Sequence, residues 1–280
     1  VSRVWLATIV ALSVAGCAAP ARDKTSTRVD PDKIRPIDDP AEQARIGPPE
    51  VVEPTADAPN GIALRMDFAV GSKIERRITG DIELKLDTGA SANAGQGSVK
   101  TKLDVVYTLE AIEKRNDVTT VRVSSDPLTV TGPANASKTQ AEVFELKVDP
   151  RGRIVENLEG LVRSAVATAF VPFPTKKVEK GAAWSVSSLY TAPVIGEVDL
   201  NQTYVYKGTE TRGGKKCWRV DTVGLGGDVY RVDGSYWFES STGLLLEADW
   251  TASAKTDLQD ASGAPTPGRV TMSAKLRPRS

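Results

Sequence analysis

The chain has 280 residues, with 36 Lys and Arg against 36 Asp and Glu, no histidine and two cysteines. Balanced, interspersed charge offers no basic footprint for nucleic acid. The lack of histidine excludes Ser-His-Asp and Cys-His catalysis and most catalytic zinc sites, so no catalytic residue, metal or cofactor is expected.

The first predicted element is a signal peptide over residues 1–16. Arg3 supplies a short positive region, and Val4 to Val14 is an apolar run too short to span a bilayer. Small residues then lead to Val14-Ala15-Gly16-Cys17. This tetrapeptide resembles the lipobox of bacterial lipoproteins, which implies cleavage before Cys17 and lipidation of its thiol. Acyl chains on Cys17 would anchor the protein to a membrane without spanning it. Ala18 and Ala19 follow in place of Asp, which in the sorting rule of enteric bacteria favours the outer over the inner membrane, with the domain facing the periplasm.

Residues 17–60 hold eight of the seventeen prolines and no Phe, Trp or Tyr. Such a stretch buries too little apolar surface to offset its ordering entropy, and it is predicted to be a disordered tether. Its r.m.s. reach is about 35–40 Å.

Residues 61–280 are predicted to form one β-rich domain. Alternating runs such as "VVYTLEAI", "TTVRVSS", "VFELKVD" and "QTYVYKG" read as half-buried antiparallel strands. Turn residues punctuate them at Asn116-Asp117, Asp149-Pro150-Arg151-Gly152, Gly213-Gly214 and Thr242-Gly243. The order of features repeats, which predicts two similar units over about 61–156 and 178–256. The expected fold is mainly β (α+β): a curved antiparallel sheet or open half-barrel with one amphipathic helix packed on it.

Between Leu86 and Ser98 stands "DTGASANAGQG". Asp87-Thr88-Gly89 matches the catalytic tripeptide of aspartic proteases, where two such loops share one proton. The strand before it, "GDIELKLD", alternates with charges and reads as half-exposed. The second unit has no counterpart of the stretch, so a hairpin tip accounts for it. A retropepsin-like protease acting through Asp87 is the remote alternative.

The helix is predicted over 157–170. Leu158, Leu161, Val162, Ala165, Val166, Ala169 and Phe170 fall on one face, Asn157 is a candidate N-cap, and Pro172 and Pro174 end it. The run that follows, "FVPFPTKKVEKGAAWS", resembles an uncharacterised family of bacterial β-rich secreted proteins and lipoproteins. The resemblance implies a tether, paired long hairpins, a central helix and a Gly-x-x-Trp strand, and no activity.

Trp184, Trp218, Trp237 and Trp250 all lie in predicted strands of the second unit. With Leu161 and Phe170 they are candidates to line an apolar site, although the tryptophans need no explanation beyond core packing, which is the preferred reading of them. Cys217, in "KKCWRV", reads as a buried thiol. Two non-enzymatic functions stand open: binding or carriage of an apolar small molecule, or interaction with another envelope protein.

Overall fold

The computed structural model describes residues 50–86, 98–133, 136–155, 166–167, 169–192, 196–227, 229–259 and 265–279. Its strands are β1 (Glu50–Val52), β2 (Lys73–Leu86), β3 (Ser98–Arg115), β4 (Val118–Ser125), β5 (Thr129–Thr131), β6 (Ala136–Lys138), β7 (Glu142–Val148), β8 (Ala183–Ala192), β9 (Gly196–Arg212), β10 (Lys215–Gly226), β11 (Tyr230–Glu239), β12 (Leu245–Gln259) and β13 (Pro265–Pro278). The period-two pattern works as alternation demands. β3 buries Val105, Tyr107, Leu109 and Ala111, while Asp104, Thr108 and Glu110 stand half-buried on the other face.

All thirteen strands belong to one sheet, ordered β1-β8-β9-β10-β11-β12-β13-β2-β3-β4-β7, with the small β5 and β6 beside β3. The pairings are antiparallel, and among the described residues β1 and β7 do not meet, so the sheet stays open. Strand β13 lies between β12 and β2, which stitches the end of the chain to its first long strand.

One face of the sheet, the inner one, carries many small residues. Gly80, Gly224, Gly234, Ala248, Ala252, Ala254 and Ala274 all share it with the large aromatics. A Cβ at Gly224 would meet Val232 Cγ1 at 2.6 Å and Gln202 Cγ at 2.8 Å, so only a hydrogen fits there.

Two chain segments strap this inner face. Residues 62–68 point Ile62, Leu64, Met66 and Phe68 into the sheet, and residues 166–178 add Val166, Phe170, Val171, Phe173 and Val178. The straps pair with each other through reciprocal hydrogen bonds between Ile62 and Val178 at 2.9 and 2.8 Å. They are also tied to turns at the near end of the sheet, the end carrying the β3–β4, β9–β10 and β11–β12 hairpins. Met66 N donates to Pro150 O (2.6 Å), Asp67 N to Thr242 O (2.7 Å) and Phe173 N to Arg151 O (2.7 Å).

The same local geometry precedes β2 and β8. Gly71 and Gly181 have φ of 84° and 94°. Gly71 N donates to Ala111 O at 2.7 Å, and Gly181 N to Tyr206 O at 2.8 Å. Each contact fastens the start of one strand to its neighbour.

The helix predicted over 157–170 is not seen among the described residues beyond one turn. Val166 and Ala167 are helical, and bonds from Ala169 N to Val166 O and from Phe170 N to Ala167 O close the turn. The chain then runs extended through Pro172 and Pro174, which have no N–H to continue a helix. Residues 156–165 and 168, Leu161 included, lie outside the described residues. Residues 50–60, placed in the tether by composition, also take part in the described fold. β1 pairs with β8, and the Glu53 carboxylate accepts the Thr175 and Lys176 amides, with 2.8 Å to the first. Composition gives little sign of this because the anchoring is largely through backbone groups and the Glu53 and Asp57 carboxylates, the latter accepting the Lys177 amide at 2.9 Å.

Candidate functional site on the inner face

Phe173 sits at the centre of the inner face. Its ring meets Phe238 edge-on at 5.0 Å and Trp218 at 6.4 Å. Trp184 stacks on Tyr204 at 5.6 Å and donates its indole N–H to the Pro172 carbonyl at 2.8 Å. Phe170 lies 6.3 Å from Phe68 on the other strap. Trp250 is buried in the same cluster. Burial raises the phenol pKa of Tyr204, with Tyr236 adding to the shift, so the hydroxyl stays protonated.

Trp237 does not join the other candidates. Tyr236 and Phe238 occupy inner positions, so alternation sends Trp237 to the outer face, where it packs with Cys217 and Leu246. Arg212 lies over its ring at 4.3 Å, and its indole N–H donates to Glu210. That cluster is complete without a ligand. Burial, and then Glu239, raise the Cys217 pKa, which opposes a nucleophilic thiolate.

Toward the far end of the inner face, away from those hairpins, packing loosens. Ile82, Leu84, Leu103 and Met272 are only partly buried, yet they abut the core. They are neighbours: Met272 faces Ile82 across β13–β2, and Leu103 faces Gly80 across β2–β3.

Near the other end, one polar pair breaks the apolar lining. Arg76 shares the inward parity of Ile74 and Ile78 and pairs across strands with Tyr107. The ladder between β12 and β13 stops at Ala248–Leu276. The Leu245 carbonyl, beyond that stop, accepts Arg76 Nε at 3.0 Å and Nη2 at 2.8 Å. Burial lowers the Arg76 pKa, and the nearby Glu239 carboxylate partly offsets that, although no carboxylate among the described residues lies within ion-pair distance of it. Tyr107 is 1% exposed, and its hydroxyl finds no hydrogen-bond partner. Both residues line a small cavity with Met66, Phe68, Ile74 and Phe170. Sequence reading passed over this pair, although the shared parity of Ile74, Arg76 and Ile78 was the signal that could have found it.

On the outer face, a polar cleft of ≈ 690 Å³ is lined by Arg77, Thr79, Asp104, Lys138 and Arg279, among others. Its arginines are already engaged: Arg77 with Asp104, Arg277 with Asp249 and Arg279 with Glu75, each at 2.5 Å. Among the described residues no three His, Cys, Asp or Glu side chains gather as a metal site, and no helix is long and apolar enough to cross a membrane. Cys17 and Asp87-Thr88-Gly89 lie outside the described residues.

The described chain is thus an open, wholly antiparallel sheet with a strapped inner face. No family model and no curated protein matches it. Among solved structures, lipovitellin, from a study of lipid–protein interactions, is 12% identical with a TM-score of 0.42; the likeness covers 76% of this chain and 26% of that one. DynF from the dynemicin biosynthesis pathway of Micromonospora chersina is 7% identical with a TM-score of 0.24, covering 81% and 89%. A mutant of the Rh. blastica porin is 9% identical with a TM-score of 0.21, covering 74% and 99%. The chain spans about a quarter of the length of the lipovitellin chain it matches.

Proposed function

We propose that this chain is a lipid-anchored protein of the bacterial envelope, without a catalytic role, whose inner sheet face takes up an apolar small molecule. The anchor rests on Val14-Ala15-Gly16-Cys17, and replacing Cys17 by Ser is expected to abolish incorporation of labelled palmitate. A Ser variant that still takes up the label would sink the anchor. The tether would then carry the domain clear of the lipid headgroups, facing the periplasm from the outer membrane.

The observation that carries the ligand reading is the partly buried apolar group Ile82, Leu84, Leu103 and Met272, continuous with the core. Apolar side chains left half in water are what an apolar guest would cover. Titration with a dansyl-labelled fatty acid is expected to show saturable uptake. Met272→Glu should weaken it about tenfold with little loss of stability, because the position is not fully enclosed. Absence of saturable uptake overturns this reading.

A second reading has one observation in its favour. Among the described residues β7 is the last strand of the sheet, and Val143 on it is 70% exposed, a surface that another envelope protein would cover. Pepstatin-sensitive peptidase activity lost in Asp87→Asn would instead establish the protease alternative and overturn both.

A further inference from the structure

We infer that the outer-face cleft, where β2, β3 and the end of β13 meet the β5–β6 hairpin, is a binding site for a small phosphorylated or carboxylated sugar. It lies on the opposite face of the sheet from the apolar group, so it stands independently of the ligand reading of the inner face. Its volume, ≈ 690 Å³, falls within the about 300–1,000 Å³ typical of small-molecule sites. The strands bring Arg77, Asp104, Arg277 and Arg279 to one side, and the hairpin side brings Asp126 and Lys138.

Arg77 stands directly opposite Arg277 across β2–β13, and Arg279 follows two residues on. Like charges that face each other across strands are destabilising, so something must offset them. Carboxylates do so in part, and they orient the arginines without using up their donors. Asp104 takes the Nε and Nη2 edge of Arg77 at 2.8 and 2.5 Å, which leaves Nη1 with no bond among the described residues. Glu75, outside the lining, takes only Nη1 of Arg279. Arg277 is fully engaged, with Nη1 on the Ala248 and Leu276 carbonyls and Nη2 on Asp249, and it contributes charge alone. Lys138 is exposed and has no ion pair among the described residues. Arg77 Nη1, the rest of the Arg279 guanidinium and the Lys138 ammonium thus border one space with hydrogens to give, a donor set suited to a phosphate or carboxylate.

The remaining groups narrow the class of guest. Asp126 has no ion pair among the described residues, and an ionised carboxylate only accepts. An inorganic anion or an acidic side chain brings acceptors alone and would meet Asp126 with repulsion. A sugar's hydroxyls donate to it, while the sugar's acidic group lies with the arginines and Lys138. Thr79 and Thr129 add hydroxyls to the lining, and Pro127 and Pro278 offer apolar surface to the C–H face of a ring.

The test is calorimetric titration of the full chain with glucose 6-phosphate, glucuronate, glucose and inorganic phosphate. At least one of the two acidic sugars is expected to bind saturably, about tenfold more tightly than glucose or phosphate, each of which makes only part of the contacts. The stronger of the two tells a phosphorylated from a carboxylated guest. Lys138→Gln should weaken that binding about tenfold and leave the melting temperature unchanged, because the ammonium supports nothing else. Asp126→Asn should weaken the acidic sugar and strengthen phosphate, a crossing that a merely structural carboxylate would not give. Arg77→Gln should weaken binding further; if it disturbs the β2–β3 pair, Lys138→Gln decides. Binding of neither acidic sugar, binding no tighter than that of phosphate, or unchanged binding in Lys138→Gln overturns the site. Dansyl-labelled fatty acid uptake is expected to be unchanged in Lys138→Gln, so failure here and failure of the inner-face reading are told apart.

Discussion

Phe173→Ala is expected to destabilise the protein by about 3–5 kcal/mol, the range for truncating a buried aromatic. Phe173 is fully enclosed, and its ring is held edge-on by Phe238 and Trp218. Such aromatic pairs add about 0.5–1.5 kcal/mol beyond the area they bury. Relaxation around the cavity is restricted, because the strap backbone is fixed on both sides of the ring. Phe173 N donates to Arg151 O, and the Pro172 carbonyl accepts from Trp184 Nε1. Phe173→Leu keeps much of the volume and should cost clearly less. Urea melts of both variants separate the cases. A loss below about 1 kcal/mol for the alanine variant would mean the strap is not seated as described, and the near end would then be open to a ligand as well.

The role of Phe173 shows where local pattern stops being informative. Strand alternation is a property of neighbouring residues, so β3, β4, β7 and β9 were legible from runs such as "VVYTLEAI" and "VFELKVD". The turn residues were legible for the same reason; Asn116, Asp117, Gly152, Gly213, Gly214 and Gly243 all adopt the positive φ their types favour. The run "FVPFP" carries no charge, but its prolines make it look like a terminator of whatever precedes it. In the fold it is an extended, wholly buried plug, and Pro172 serves through its carbonyl. Residues 62–68 show inward alternation without being a strand, since the Ile62 amide goes to the other strap and those of Met66 and Asp67 go to turns, not to a ladder. The pairing of β13 with β2 joins opposite ends of the domain and leaves no local trace at all.

The candidate site was legible in part, for reasons of parity. Trp184, Trp218 and Trp250 share the inner face, whereas Trp237 is placed outward by its own neighbours Tyr236 and Phe238. Parity also places Arg76 inward, but a charged residue in "KIERRITG" reads as the solvated face unless the isoleucines on either side are counted first. The unpartnered Tyr107 hydroxyl depends on what the straps fail to bring near it, which no strand pattern encodes.

Gly243→Ala is expected to cost about 3 kcal/mol or more, and to do so through the strap and not only through the turn. The residue closes the β11–β12 hairpin, with its amide donating to Glu239 O at 2.7 Å and φ at 67°. An L-residue pays about 1–2 kcal/mol for that conformation alone. Gly214, at the β9–β10 turn, isolates this part. Its φ is 76° and an added Cβ there meets nothing within 4 Å, so Gly214→Ala should show the conformational cost by itself. At Gly243 the added Cβ would stand 1.8 Å from the Arg65 carbonyl oxygen and 2.7 Å from its carbon. Backbone atoms cannot swing aside as a side chain can, so the strap must lift. Lifting it strains the Asp67 N to Thr242 O bond and withdraws Met66 and Phe68 from the core, adding an overpacking cost of about 1–3 kcal/mol. Paired melts of the two alanine variants give the difference directly. If Gly243→Ala is no worse than Gly214→Ala, the strap does not press on this hairpin, and the closure over Arg76 and Tyr107 loses its support.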